Sequence, residues 1–239
     1  MITRLKNLIR PTKQSALPAV RGAELEVNNW EISRVVTEHM LPAVGNRPFP
    51  LTELMLIASS VAWFEPRYVF EWGTHIGKSA RAFYEAARAL GVETTIHSID
   101  LPDDVEHGEH PHAQRAKLVR GLSNVELHQG DGVDTALKVL SKLPKKYRDG
   151  SGTLFFVDGD HSYESVKREL GAIMKDAPQA AVLLHDTFYQ SEDSNYNIGP
   201  YKAVKELLAK TKQSYKRIDT AFGLPGMTLL YPLPAAKRK

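Results

Sequence analysis

Tyr68-Val-Phe-Glu71-Trp-Gly73-Thr-His-Ile-Gly77-Lys-Ser79 joins a short apolar run to a polar turn with two glycines four residues apart. The run reads as a strand. Gly73 permits a tight turn, and Gly77 lets a following helix approach closely. That helix is expected from about Lys78 to Leu90, with Ala80, Phe83, Ala87 and Leu90 on its apolar face and Gly91 as its stop. A strand running through a glycine turn into a helix is the repeating unit of a parallel α/β sheet.

The unit recurs downstream. Thr94 to Ile99 reads as a strand ending at Asp100, and a polar loop (101–110) leads to a helix near 112–120. Val125 to His128 is a strand, and Val133 to Leu143 a helix. Thr153 to Val157 ends at Asp158 and is followed by a helix over Ser162 to Asp176. Ala181 to Leu184 ends at His185-Asp186, and Pro200 opens a helix through Lys210. Leu154 to Val157 and Val182 to Leu184 are unbroken apolar runs, as central parallel strands are. No helix separates the last two strands, Tyr215 to Ile218 and Met227 to Tyr231. Their link contains Gly223, Pro225 and Gly226, so they form an antiparallel hairpin at the sheet edge. The expected fold is α/β: a doubly wound, mostly parallel seven-stranded sheet of Rossmann-like type.

Upstream, Asn28 to Leu41 and Thr52 to Phe64 read as helices, with Thr52 as an N-cap and Leu54, Leu56, Ile57, Val61 and Phe64 as an apolar face. The expected division is a basic lead-in and helical extension (1–65), the α/β domain (66–232) and a basic tail (233–239).

The 239 residues carry 31 basic and 28 acidic side chains and no cysteine. Thiolate metal sites, disulfides and cysteine nucleophiles are excluded, and a cytoplasmic setting is expected. Eight of the basic residues lie in 1–23 and 237–239, where there is no acid. Residues 24–236 are therefore mildly acidic, which argues against a nucleic-acid groove. No apolar run reaches the roughly 20 residues of a membrane span, so no stable membrane insertion is expected. The N-terminal helices are an expected contact for a homo-oligomer.

Ligands of an open parallel sheet bind beyond the carboxyl ends of its strands. Here those ends are polar. The turn after the first strand presents free helix N–H groups to an anionic or polar ligand. Asp100 is placed to accept hydrogen bonds from ribose hydroxyls. In Gly130-Asp131-Gly132, the acid can meet an adenine amino group. Val157-Asp-Gly-Asp-His-Ser-Tyr163 and Leu184-His-Asp-Thr187 bring Asp158, His161 and Asp186 to neighbouring strand ends. The two aspartates can hold a divalent cation, cap helices or orient a histidine. His161 can serve as a general base. The loop His107 to His112, with three histidines, reads as a lid.

These motifs resemble those of class I S-adenosylmethionine-dependent methyltransferases. Glu71-x-Gly73-x-x-x-Gly77-x-Ser79-Ala80 is similar to the first motif of the catechol and caffeoyl-CoA O-methyltransferase type. Asp158-Gly-Asp-His-Ser-Tyr163 and His185-Asp-Thr-Phe188 resemble a broad bacterial branch of that superfamily. The resemblance spans about residues 66–231. It implies that Glu71, Gly73, Thr74, Gly77 and Ser79 surround the methionine part and ribose, that Asp100 binds the ribose hydroxyls, and that Asp131 with Gly132 meets the adenine. It also implies magnesium (Mg2+) at Asp158 and Asp186, although Thr187 and His161 stand where the catechol-type enzymes have asparagine and lysine.

The expected activity is methyl transfer to a hydroxyl of a small-molecule acceptor (a sugar, phenol or natural product), with His161 as base and Asp158 and Asp186 orienting it. Three rivals remain open: a NAD-dependent oxidoreductase, for which His75 stands at the middle glycine of Gly-x-Gly-x-x-Gly; a non-catalytic nucleoside-binding module; and a metal-dependent hydroxylase.

Overall fold

Apolar runs without alternation become the strands covered on both faces. In the computed structural model, which describes residues 24–105, 112–189, 197–220 and 222–233, β4 (Thr153–Val157) and β5 (Ala181–His185) are buried along their whole length. They lie in one seven-stranded sheet with β1 (Tyr68–Trp72), β2 (Thr95–Asp100), β3 (Val125–Gln129), β6 (Tyr215–Asp219) and β7 (Met227–Pro232). The order is β3-β2-β1-β4-β5-β7-β6. β1 to β5 are parallel, β7 is antiparallel to β5, and β6 is antiparallel to β7. The mostly parallel sheet with its terminal hairpin is the architecture expected from the sequence. Strand order reverses between β1 and β4, which places the switch point beside Gly73 and Asp158.

Each strand sends alternate side chains to opposite faces. On one face, Val69, Ile96, Leu154, Phe156 and Leu183 pack against α3 (Leu51–Phe64) and α4 (Lys78–Leu90). On the other, Phe70, Trp72, Phe155 and Val182 pack against α5 (Gly132–Lys142), α6 (Tyr163–Asp176) and α7 (Gly199–Lys210). Ahead of α3, α1 (Asn29–Val35) runs through a π-helical turn (Val36–Met40) into α2 (Leu41–Val44). Ile32, Val35 and Met40 of this leading segment, with Leu54 and Ile57 of α3, are buried in the same core as Phe83 and Phe156.

Two local expectations are corrected. Pro50, not Thr52, caps α3, and its carbonyl accepts from the N–H groups of Glu53 and Leu54 at 3.0 Å each. The helix near 112–120 is a 3-10 turn (His112–Gln114) followed by turns. Its backbone groups bond elsewhere: Ala116 N–H donates to the His75 carbonyl at 2.7 Å, and Leu118 N–H to that of Ile76 at 3.0 Å. Ala116 sits at φ +57°, which breaks any helix there. The segment therefore buttresses the glycine turn after β1. The lead-in (1–23), most of the three-histidine loop (106–111) and the tail (234–239) lie outside the described residues.

Candidate active site

The carboxyl ends of β1 to β5 open into one cleft of about 1190 Å³, lined among others by Trp72, Gly73, Asp100, Asp131, Asp158 and His161. Ligand pockets commonly measure about 300–1,000 Å³, so the cleft is large enough for more than one small ligand. Gly73 sits at φ +89°, and a Cβ there would lie 2.5 Å from the Asp158 carbonyl oxygen. Only glycine allows the ends of β1 and β4 to close up in this way.

The β1 motif divides between wall and foundation. Gly73, His75 and Lys78 line the cleft, whereas Glu71, Thr74, Gly77 and Ser79 do not. Glu71 is fully buried, and Ser98 Oγ–H donates to its Oε1 at 2.5 Å. Thr74 Oγ1 and Ser98 Oγ are hydrogen-bonded at 2.6 Å. Burial pushes the Glu71 carboxyl up to about 7, against the lowering effect of the serine hydroxyls.

At the β2 end, Asp100 accepts from the His75 N–H at 3.1 Å and the Leu101 N–H at 2.8 Å, and Arg115 Nε approaches its Oδ2 at 3.2 Å. At the β3 end, Asp131 caps α5 through the Asp134 N–H. Arg168 grips both its oxygens, at 2.6 and 2.8 Å, and holds its carboxyl below the usual range. Gly132 is required by bulk, since a Cβ there would lie 1.9 Å from the Trp72 ring. Two cleft-lining polar atoms, Trp72 Nε1 and Glu169 Oε2, are buried and have no partner among the described residues. Burial raises the Glu169 carboxyl to about 7.

The ends of β4 and β5 hold a chain of alternating carboxylates and imidazoles. His185, nearly inaccessible, has Nδ1 2.9 Å from Asp158 Oδ1 and Nε2 3.0 Å from Glu53 Oε2. Both ring nitrogens face carboxylates, so both carry protons and His185 is an imidazolium. Burial alone would lower its pKa, but Asp158, Glu53 and Asp186 together outweigh burial and raise it well above the ordinary value. His161 differs. Its Nδ1 is 2.6 Å from Asp186 Oδ2, while Nε2 stands 3.8 Å from Asp158 Oδ1, too far for a hydrogen bond. The His161 ring is over one-third exposed in the cleft. The Asp186 hydrogen bond raises its pKa, against the opposing effect of burial. Asp158, His161 and Asp186 are thus brought together as the sequence suggested.

Glu53 was missed by sequence reasoning. It lies on α3, 1% exposed, and its Oε1 also accepts from the Gly226 N–H at 2.8 Å. The signal was an acid four residues before Ile57, on the apolar face of its helix. Phe49 completes the enclosure, with its ring edge-on to His185 at a centroid distance of 5.0 Å.

A family model described as a methyltransferase domain matches residues 70–187. No curated protein matches the sequence. Among solved structures, the chain is similar to an O-methyltransferase from Bacillus cereus in complex with S-adenosylhomocysteine (SAH), at 16% identity and TM-score 0.55, covering 87% of this chain and 93% of that one. It is also similar to the O-methyltransferase TomG from Streptomyces achromogenes, involved in tomaymycin synthesis and solved with S-adenosylmethionine (20%, 0.52, 86% and 89%). A third is the SAH-bound methyltransferase PaMTH1 from Podospora anserina (14%, 0.54, 84% and 88%). At these identities the likeness establishes the fold, and the family match marks a methyltransferase domain within it. Residues 70–187 therefore carry a methyltransferase domain, on a fold that the chain shares with these methyltransferase structures.

Proposed function

We propose that the protein transfers the methyl group of S-adenosylmethionine to a hydroxyl of a small-molecule acceptor, with His161 as general base. The observation that carries this reading is the Asp186–His161 pair, in which Nδ1 is engaged and Nε2 is free beside the cleft. S-adenosylmethionine, when bound, supplies an electrophilic methyl group on a sulfonium. With the donor bound, His161 Nε2 would take the proton that the acceptor hydroxyl gives up as it receives the methyl group. Asp186 holds the ring through Nδ1 and stabilises the imidazolium that results. His185 is already doubly hydrogen-bonded and serves as a fixed cation that sets Asp158.

The residues fit the donor. Gly73 and Gly132 line the cleft and let Asp158 and Trp72 pack directly against the backbone of its rim. Trp72 Nε1 and Glu169 Oε2 await polar partners. Asp100 keeps acceptor capacity for the ribose beside its backbone donors. Asp131 accepts the adenine amino group only with the lone pairs that Arg168 leaves.

Magnesium fits poorly. Asp158, His161 and Asp186 present donors within 4.8 Å of one another. However, Asp158 Oδ1 faces a buried imidazolium and Asp186 Oδ2 takes the His161 N–H. A hard ion that prefers oxygen ligands and retains its waters would have to share both carboxylates with imidazole rings that already hold them. Turnover is therefore expected to persist in EDTA; a loss restored by magnesium would show that the carboxylates serve a metal.

Thermal shift tests the donor. Saturating SAH should raise Tm by roughly 5 °C or more at about 100 times Kd, and NAD should not. Asp100→Ala should weaken SAH binding about tenfold or more, since it removes hydrogen bonds to a charged acceptor. A shift with NAD alone would overturn the reading.

A further inference from the structure

We propose that His97, Glu126 and His128 form a second site, apart from the cleft, for a divalent transition metal ion of the zinc type. His97 on β2 stands in register with Glu126 on β3, and His128, two residues further along β3, points to the same face. Three donors therefore converge across the strand pair. His97 Nδ1 lies 3.1 Å from His128 Nε2 and 3.3 Å from Glu126 Oε2, and the latter two atoms are 3.9 Å apart. Ligand atoms around a tetrahedral ion with bonds of about 2.0–2.1 Å are about 3.3 Å from each other. Two separations already match, and the third closes through Glu126, which is exposed and free to adjust.

The donor chemistry selects the ion. Two imidazoles and one carboxylate suit zinc, cobalt or nickel rather than magnesium or calcium. Such ligands must be neutral imidazoles. Burial pushes His97 down to about 4 against the pull of Glu126, and it lowers His128 as well. The His97 ring is pre-set by stacking on Phe70, with centroids 4.7 Å apart. Its Nε2 is buried without a partner among the described residues, so the ring meets polar groups only through Nδ1. The open side, beside Glu126, leaves a fourth position for water. The three residues share nothing with the Asp158–His161–Asp186 group. An ion here would staple edge strand β3 to β2 just ahead of Gly130-Asp131-Gly132, the adenine rim of the cleft.

The test is cobalt and zinc titration of the untagged full-length protein, read by visible absorption and by metal analysis after dialysis. One equivalent of cobalt with a tetrahedral spectrum is expected, displaced by zinc. That equivalent should survive Asp158→Asn and weaken at least tenfold in His128→Ala, at a half-buried position, and Glu126→Gln, at an exposed one, with folding of both checked by Tm. No retained metal would overturn the proposal. So would retained metal that is indifferent to His128→Ala.

Discussion

His161→Ala is expected to lower kcat by about 10²–10⁴-fold, the usual contribution of a positioned general base, while SAH affinity stays within about twofold. The pH profile gives a sharper readout. A protonated imidazole cannot accept the acceptor proton, so activity rises with pH as His161 loses its own. The Asp186 hydrogen bond raises that pKa, so the midpoint of the rising limb should lie above the ordinary value of about 6.5. In Asp186→Asn the midpoint should fall. In His161→Ala the limb should vanish from the residual activity. A limb that persists unchanged would place the base elsewhere, and an equal loss of SAH binding would make His161 part of the donor pocket.

Glu53→Ala should produce the largest loss of stability, although Glu53 lies outside the conventional rim of the sheet. Removing one partner of a buried charge pair typically costs about 3–5 kcal/mol, or roughly 10 °C in Tm for a chain of this size. The Gly226 N–H would lose its acceptor as well. Glu53→Gln keeps the volume and isolates the charge. His185 has a folded pKa raised above its unfolded value. Its contribution is fully present below about pH 6.5 and is lost as pH rises through the folded value. The Tm gap between wild type and Glu53→Gln should therefore be widest between about pH 5 and 7 and should narrow in alkali. A gap independent of pH would mean that Glu53 acts by packing alone.

The residues that the sequence made legible are those whose roles are local. Apolar runs marked the strands, and the positions just after them (Gly73, Asp100, Asp131, Asp158, Asp186) necessarily fell on one rim of a parallel sheet. What could not be read depended on long-range contacts. Glu53 reaches His185 across 132 positions of sequence, and no local pattern announces that an acid within an apolar face has a histidine waiting. The state of His185 followed the same logic: its charge is decided by carboxylates from different elements, Asp158, Glu53 and Asp186. Ala113, Ala116 and Val119 carry helical spacing, but the His75 and Ile76 carbonyls capture the backbone there and override it. Glu71 and Ser79 belong to a recognisable motif, and only the fold shows that they support the cleft floor rather than line it.

The most direct measurement is a crystal structure of the protein soaked with S-adenosylhomocysteine. Density should run over the Gly73 turn, with the ribose hydroxyls at the Asp100 carboxylate, the adenine at the Asp131-Gly132 turn, and the sulfur facing His161 Nε2. A cleft left unfilled at saturating ligand, or a nucleoside bound away from Asp100, would contradict the assignment of this site to the methyl donor.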